Sequence, residues 1–246
     1  MFIHNINPIA LQLGPLEIRW YGIIYALGFL FAYYYVKHTL AKKKIMFDVD
    51  TFFISVILGN LIGARLFEVF FYHPTYYFAN PAEIIAVWKG GLSFHGGLLG
   101  GFLASFWFCK KQKISWKIIA DILAIPLAIG LGFGRIANFI NGELYGYPTS
   151  LPWGADFGDG VFRHPTQLYE SLKNFLIAGI LTAVNARKKL SPGILFILFM
   201  ILYGSVRFFI EFLKVPETMF LGLATGQWFS LLMVVLGIYG IHKFKK

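Results

Sequence analysis

The stretch Gly130–Gly146, GLGFGRIANFINGELYG, closes a long apolar run with an arginine, two asparagines, a glutamate and five glycines. Arg135 and Asn138 are three residues apart and share a helix face, and Asn141, Gly142, Glu143 and Gly146 follow where the helix should leave an apolar layer. A Gly/Asn-rich helix end is also ordinary turn chemistry. Arg135 tips the reading toward function, because a permanent cation in apolar surroundings costs several kcal/mol unless an anion meets it.

Further groups approach the same level. Tyr203, Arg207 and Glu211 recur every four residues, drifting only about 80° around a helix, and make one polar stripe facing a bundle interior. Arg65 and Glu68 share a face three residues apart and can pair with each other as structural glue or serve a ligand. His95 lies in GGLSFHGGLLGG, Gly90–Gly101, where the glycines let the backbone approach a neighbour or a ligand. It reads as a hydrogen-bonded core histidine or as a base. Tyr21, with Tyr25 and Gly28, adds a hydroxyl-bearing face, although interfacial tyrosines look the same. Together these residues describe a site for an anion with an apolar part, such as a phospholipid headgroup: guanidinium grips phosphate through paired donors while acyl tails lie between helices. The residues alone do not separate a lipid enzyme from a transporter or channel for an organic anion, or from a non-catalytic assembly protein.

The elements that must position these groups are membrane helices. Of 246 residues 57% are hydrophobic and only 14% charged, the balance of an integral membrane protein. The hydropathy and length rules predict an all-α fold of about seven spans, at Trp20–Val36, Phe52–Tyr72, Leu92–Cys109, Ile119–Ile140, Gln167–Ala186, Gly193–Leu213 and Gln227–His242. Basic clusters follow the odd-numbered spans: Lys37 with Lys42, Lys43 and Lys44; Lys110, Lys111, Lys113 and Lys117; Arg187, Lys188 and Lys189; Lys243, Lys245 and Lys246. They hold fourteen of the 22 lysines and arginines, which places the N-terminus outside and the C-terminus in the cytoplasm. Of the other eight, Arg19 and Lys89 beside Trp20 and Trp88 read as interfacial anchors, and Lys173 as a snorkelling side chain.

The expected organisation is a single polytopic membrane domain over residues 1–246, with short outward loops at about 73–91, 141–166 and 214–226. The net charge of +10 records topology and not a nucleic-acid partner. The single cysteine, Cys109, excludes an intramolecular disulfide and reads as a small apolar residue. His73, His95 and His164 lack ligand-like spacing, so no metal is expected. No cleavable signal peptide is expected either, since residues 1–18 lack a basic segment.

Six motifs in order carry a resemblance over nearly the whole chain: Arg19-Trp20-Tyr21-Gly22, Gly63-Ala64-Arg65, Gly90–Gly97, Gly134–Glu143, Arg163-His164-Pro165-Thr166-Gln167-Leu168-Tyr169-Glu170 and Tyr203–Glu211. With these the chain resembles the bacterial phosphatidylglycerol–prolipoprotein diacylglyceryl transferase family. The resemblance implies a multi-pass enzyme of the cytoplasmic (inner) membrane with its active site toward the outer face and no cofactor. Its partners would be phosphatidylglycerol and the signal peptide of a preprolipoprotein, whose lipobox cysteine accepts the diacylglyceryl group as glycerol phosphate leaves. Arg135 and Arg207 match the family's critical arginines and would clamp phosphate. His95 would take the thiol proton, so transfer is expected to fall as a histidine protonates on acidification. Tyr21 and Tyr203 would position headgroup or histidine, Glu211 would orient Arg207, and Asn138, Asn141, Glu143 and Gly146 would shape the pocket. Two features depart from the family pattern: Glu68 stands where an aromatic is usual, leaving Arg65 as a lipid contact or as its partner, and the outward loop Tyr147–Arg163 is short.

Overall fold

A computed structural model describes residues 1–187, 190–216 and 218–244, so Lys188, Lys189, Lys245 and Lys246 of the basic clusters lie outside the described residues. In chain order the elements are β1 (Phe2–Ile3), β2 (Ile9–Leu13), β3 (Leu16–Arg19), α1 (Trp20–Lys42), α2 (Val49–Phe67), the short α3 (Pro74–Ala79), α4 (Phe94–Lys111) and α5 (Trp116–Asn141). Then come β4 (Ala155–Asp156), β5 (Phe162–Arg163), α6 (Thr166–Arg187), α7 (Ile194–Ile210), β6 (Met219–Phe220), β7 (Leu223–Ala224) and α8 (Thr225–Phe244).

Each of the seven predicted segments contains a long helix. Among the described residues, four helical stretches are long and apolar enough to cross a membrane: Val49–Tyr72, Trp116–Asn141, Ile194–Leu213 and Thr225–Lys243. The other three long helices are more polar for visible reasons. Tyrosines interrupt α1, glycines with His95 and terminal lysines dilute α4, and a stripe containing Gln167, Glu170, Lys173 and Asn174 runs along α6. Large apolar side chains face outward along the helices, among them Leu27, Ile62, Leu98, Leu176 and Val235, each at least half exposed. In water such surfaces would associate; in a bilayer they meet acyl chains.

The expectation of helix alone needs correction. Among the described residues, seven short strands pair outside the helices: the β2–β3 hairpin, the β1-β4-β5 sheet and the β6–β7 hairpin. Extended segments away from a helix still need partners for their peptide groups, and cross-strand pairing supplies them. Gly14, at φ 60°, turns the first hairpin.

The chain forms two compact units, Met1–Tyr35 with Ala120–Lys246, and Val36–Ile119. In the first, the core joins Ala124, Ile125 and Ala128 of α5 to Ile177, Ala178 and Leu181 of α6 and to Leu195, Phe199 and Tyr203 of α7. Asp121 fixes the start of α7 from α5, accepting from the Gly193 and Phe196 amides at 2.7 and 2.8 Å. A carboxylate at a helix start satisfies amides that have no partner within the helix.

In the second unit α2 and α4 pack backbone to backbone. Gly59 and Gly63 on α2 meet Gly96 and Gly100 on α4 so closely that a Cβ on Gly100 would overlap the Gly59 carbonyl and stand 2.9 Å from the Gly63 Cα. Asp48 caps α2, its Oδ1 accepting from the Thr51 amide at 3.0 Å, and Ser93 caps α4, accepting from the Gly96 amide at 3.3 Å.

Candidate functional site

The first unit carries a buried polar network around the end of α5. Arg135 Nη1 donates to Asn138 Oδ1 at 3.2 Å, and Asn138 Nδ2 donates to Glu143 Oε1 at 2.7 Å. Asn141 Nδ2 reaches the same carboxylate oxygen at 3.4 Å. Tyr21, stacked on Tyr25 with ring centroids 4.6 Å apart, lies near the Asn138 side chain and within electrostatic reach of Glu143. The turn after α5 needs left-handed backbone at Gly142 (φ 69°) and at Leu144 (φ 61°), where a side chain makes that conformation unfavourable. Start-of-α6 side chains hold it: Gln167 Nε2 donates to the Glu143 carbonyl at 2.6 Å and Thr166 Oγ1 to the Leu144 carbonyl at 3.1 Å. Gly146 then closes against the segment after α7, where a Cβ would overlap the Leu213 carbonyl.

The predicted stripe on α7 is also present. Arg207 Nε and Nη2 lie 3.1 and 3.0 Å from Glu211 Oε1, and Nη1 donates to the Tyr203 hydroxyl at 2.8 Å. Tyr203 and Glu211 are buried, while Arg207 keeps about a quarter of its side chain accessible.

Three groups, Glu170, Lys173 and Lys214, join these halves, and the sequence reading placed none of them in the site. Glu170 on α6 is 1% exposed, with Oε2 2.8 Å from Arg135 Nε and Oε1 3.7 Å from Lys214 Nζ. The Nε–H is not aimed at that oxygen, so the contact is an ion pair without an aligned hydrogen bond. Lys173 and Arg207 are also within electrostatic reach of Glu170. Lys173 does not snorkel as expected: it is 4% exposed, and its Nζ sits 3.9 Å from the Tyr203 ring centre. The signal was present as the i, i+3, i+4 polar stripe from Gln167 to Asn174, but a lysine in an apolar segment reads equally well as an anchor.

Outside the helices, Arg163 Nε donates to Asp159 Oδ2 at 2.9 Å, and this bond holds the Asp159 carboxyl below the usual carboxylate range. Trp153 Nε1 donates to the Tyr169 hydroxyl at 2.8 Å, tying the loop before α6 to that helix.

The second unit holds the two remaining predicted residues. Arg65 is 5% exposed, and of the two readings the spacing left open it does not take the pairing with Glu68. Its guanidinium donates to the carbonyls of Ile84 at 2.8 Å, Gly90 at 2.6 Å, Gly91 at 2.8 Å, Ala86 at 3.2 Å and Glu83. Five carbonyls offer a buried cation more acceptors than one carboxylate could, and Glu68 instead meets His73 Nδ1 at 2.8 Å. Lys89 and Arg19 pair with Glu83 and Glu17, at 2.6 and 3.0 Å. His95, in the first turn of α4, is exposed, with Nδ1 3.1 Å from the Tyr72 hydroxyl. No group of three metal-binding side chains occurs among the described residues.

Residues 8–242 match the family model described as prolipoprotein diacylglyceryl transferase. A protein of Geobacter sulfurreducens named phosphatidylglycerol–prolipoprotein diacylglyceryl transferase is 42% identical over 95% of this chain and 94% of its own length. Proteins of the same name from Nitrosomonas europaea and Cupriavidus metallidurans are 42% and 41% identical, covering 97% and 96% of this chain and 90% and 93% of their own. With a family match and identities of this order along almost every element described above, the chain belongs to the prolipoprotein diacylglyceryl transferase family.

Proposed function

We propose that this protein transfers the diacylglyceryl group of phosphatidylglycerol to the lipobox cysteine of a preprolipoprotein in the bacterial cytoplasmic membrane. Family membership supplies the reaction. The single structural observation that supports it is the presence, within electrostatic reach of the buried Glu170, of two largely buried arginines, each braced by a carboxylate and with N–H groups left over for a ligand. The anion-transporter reading has no counterpart in the relatives' names.

In the reaction the cysteine sulfur forms a bond to the glyceryl carbon while the carbon–oxygen bond to phosphate breaks. The bonding pair passes to the phosphate oxygen, the thiol proton passes to a base, and glycerol phosphate departs. Charge therefore grows on the leaving phosphate, where Arg135 and Arg207 would hold it more strongly in the transition state than in the lipid. The exposed imidazole of His95, beside Tyr72, is the group assigned to the thiol proton. Tyr21 and Tyr203 position the headgroup, Asn138, Asn141, Glu143 and Gly146 shape its pocket, and Glu211 orients Arg207. The role of Arg65 is indirect: its donors bind backbone, so it secures the 83–91 loop that leads to His95. All seven long helices span the membrane as one polytopic domain, with the N-terminus and the active site outside and the C-terminus in the cytoplasm.

The test is transfer by purified protein from phosphatidylglycerol to a lipobox peptide, read as thioether product by mass spectrometry. Arg135→Ala should lose at least about 10²-fold in rate. Normal transfer by that variant would end the clamp assignment, and absence of product from the parent protein would end the proposal.

A further inference from the structure

Arg135 and Arg207 are held differently, and the difference points to a residue with no assigned role. Glu211 grips Arg207 through two guanidinium nitrogens, at 3.1 and 3.0 Å, from four residues along the same helix. Among the described residues Arg135 has one side-chain hydrogen bond from its own helix, the 3.2 Å contact to Asn138. What faces its Nε is Glu170, from a different helix and almost fully buried. That carboxylate also lies 3.7 Å from Lys214 and within reach of Lys173 and Arg207, so it stands among four basic side chains contributed by α5, α6, α7 and the segment after α7, of which Arg207 also has Glu211.

Charges in a medium of low dielectric act over longer distances than in water. Without the Glu170 charge the basic side chains around it would repel one another, and Arg135, whose other side-chain partner is Asn138 alone among the described residues, would lose the group that faces its Nε. We infer that Glu170 is a positioning residue of the transfer reaction, aiming the Arg135 guanidinium at the phosphate from behind without touching the lipid. The inference rests on the reading of Arg135 as a phosphate clamp. It gives the buried carboxylate a function beyond neutralising charge, because a displacement of about 1 Å at a substrate-gripping group can cost on the order of 10²-fold in rate.

A double-variant cycle with the full-length protein in detergent–lipid micelles separates positioning from general stability. Glu170→Gln should lower kcat/KM for phosphatidylglycerol about 10²-fold, and Glu170→Asp, which keeps the charge, should recover much of that loss. In the Arg135→Lys background Glu170→Gln should cost less than about threefold more, since the group it aims is already changed. Leu172→Ala, an exposed side chain on the same helix, should leave transfer unchanged.

Equal fold-losses from Glu170→Gln in both backgrounds would overturn the inference, as would parent-like transfer by Glu170→Gln while Arg135→Lys is defective. Parent-like transfer by Arg135→Lys and Arg135→Ala would instead overturn the clamp reading itself. If Glu170→Gln cannot be recovered folded, Glu170→Asp takes its place in the cycle, with equal losses in the two backgrounds again the overturning result.

Discussion

At the scale of single residues, the arginines matter for their shape as well as their charge. Arg207 uses three nitrogens on Tyr203 and Glu211, a fork that lysine cannot reproduce with one ammonium. Arg207→Lys should therefore lower kcat/KM on the order of 10²-fold in the lipobox-peptide assay although the charge is kept. Rates within threefold of the parent would mean that charge alone is needed. The Tyr203–Arg207–Glu211 constellation was legible in the sequence because all three residues lie on one helix, where spacing dictates a shared face. Glu170 and Lys214 were not, since what they contact comes from other elements and no spacing rule relates them.

At the scale of elements, the α2–α4 pair depends on missing side chains. The recurrence of glycine four residues apart on both helices lets their backbones touch, which is how apolar helices associate where lipid competes equally for apolar surface. Gly100→Ala must push the helices apart or strain α2, and should destabilise the protein by about 1–3 kcal/mol, measurable as a lowered midpoint in thermal unfolding in detergent. An unchanged midpoint would argue against this packing.

The loop over residues 147–163 offers a second element-scale test, through pH. Asp159 has a carboxyl pKa depressed by its hydrogen bond from Arg163, so its hold on the loop is complete above the ordinary carboxylate pKa of about 3.9. That hold is lost as pH falls through the depressed value. Hydrogen-exchange protection in residues 147–163 should persist at about pH 5 and decline only in stronger acid, whereas Asp159→Asn should show the unprotected pattern at neutral pH. Indistinguishable protection in variant and parent would remove the ion pair from the account of the loop.

At the scale of the whole molecule, orientation is the property on which access to substrate depends. Cys109 is the chain's one cysteine and is buried, so a Cys109→Ser background permits single-site labelling. Gly158→Cys, in the loop over residues 147–163 that the proposed topology places outside, should react with a membrane-impermeant maleimide in intact cells. Met46→Cys, at a position 93% exposed after α1, should react only after the membrane is opened. The reverse pattern would invert the proposed topology and put the site on the cytoplasmic side.

The sequence by itself determined the membrane class, the places of the seven long helices, the α7 stripe and the family, because hydropathy, helical period and motif order are properties of local chain. Tertiary structure decided how the charges are shared out. Arg65 turned from its helical neighbour Glu68 to five loop carbonyls, Lys173 turned inward onto Tyr203, and Glu170 became the carboxylate common to the α5 and α7 arginines. Buried charges select partners by distance in three dimensions, and helix packing sets those distances. Arg135 was recognisable from one apolar stretch, but the carboxylate that restrains it was visible only once α6 lay against α5.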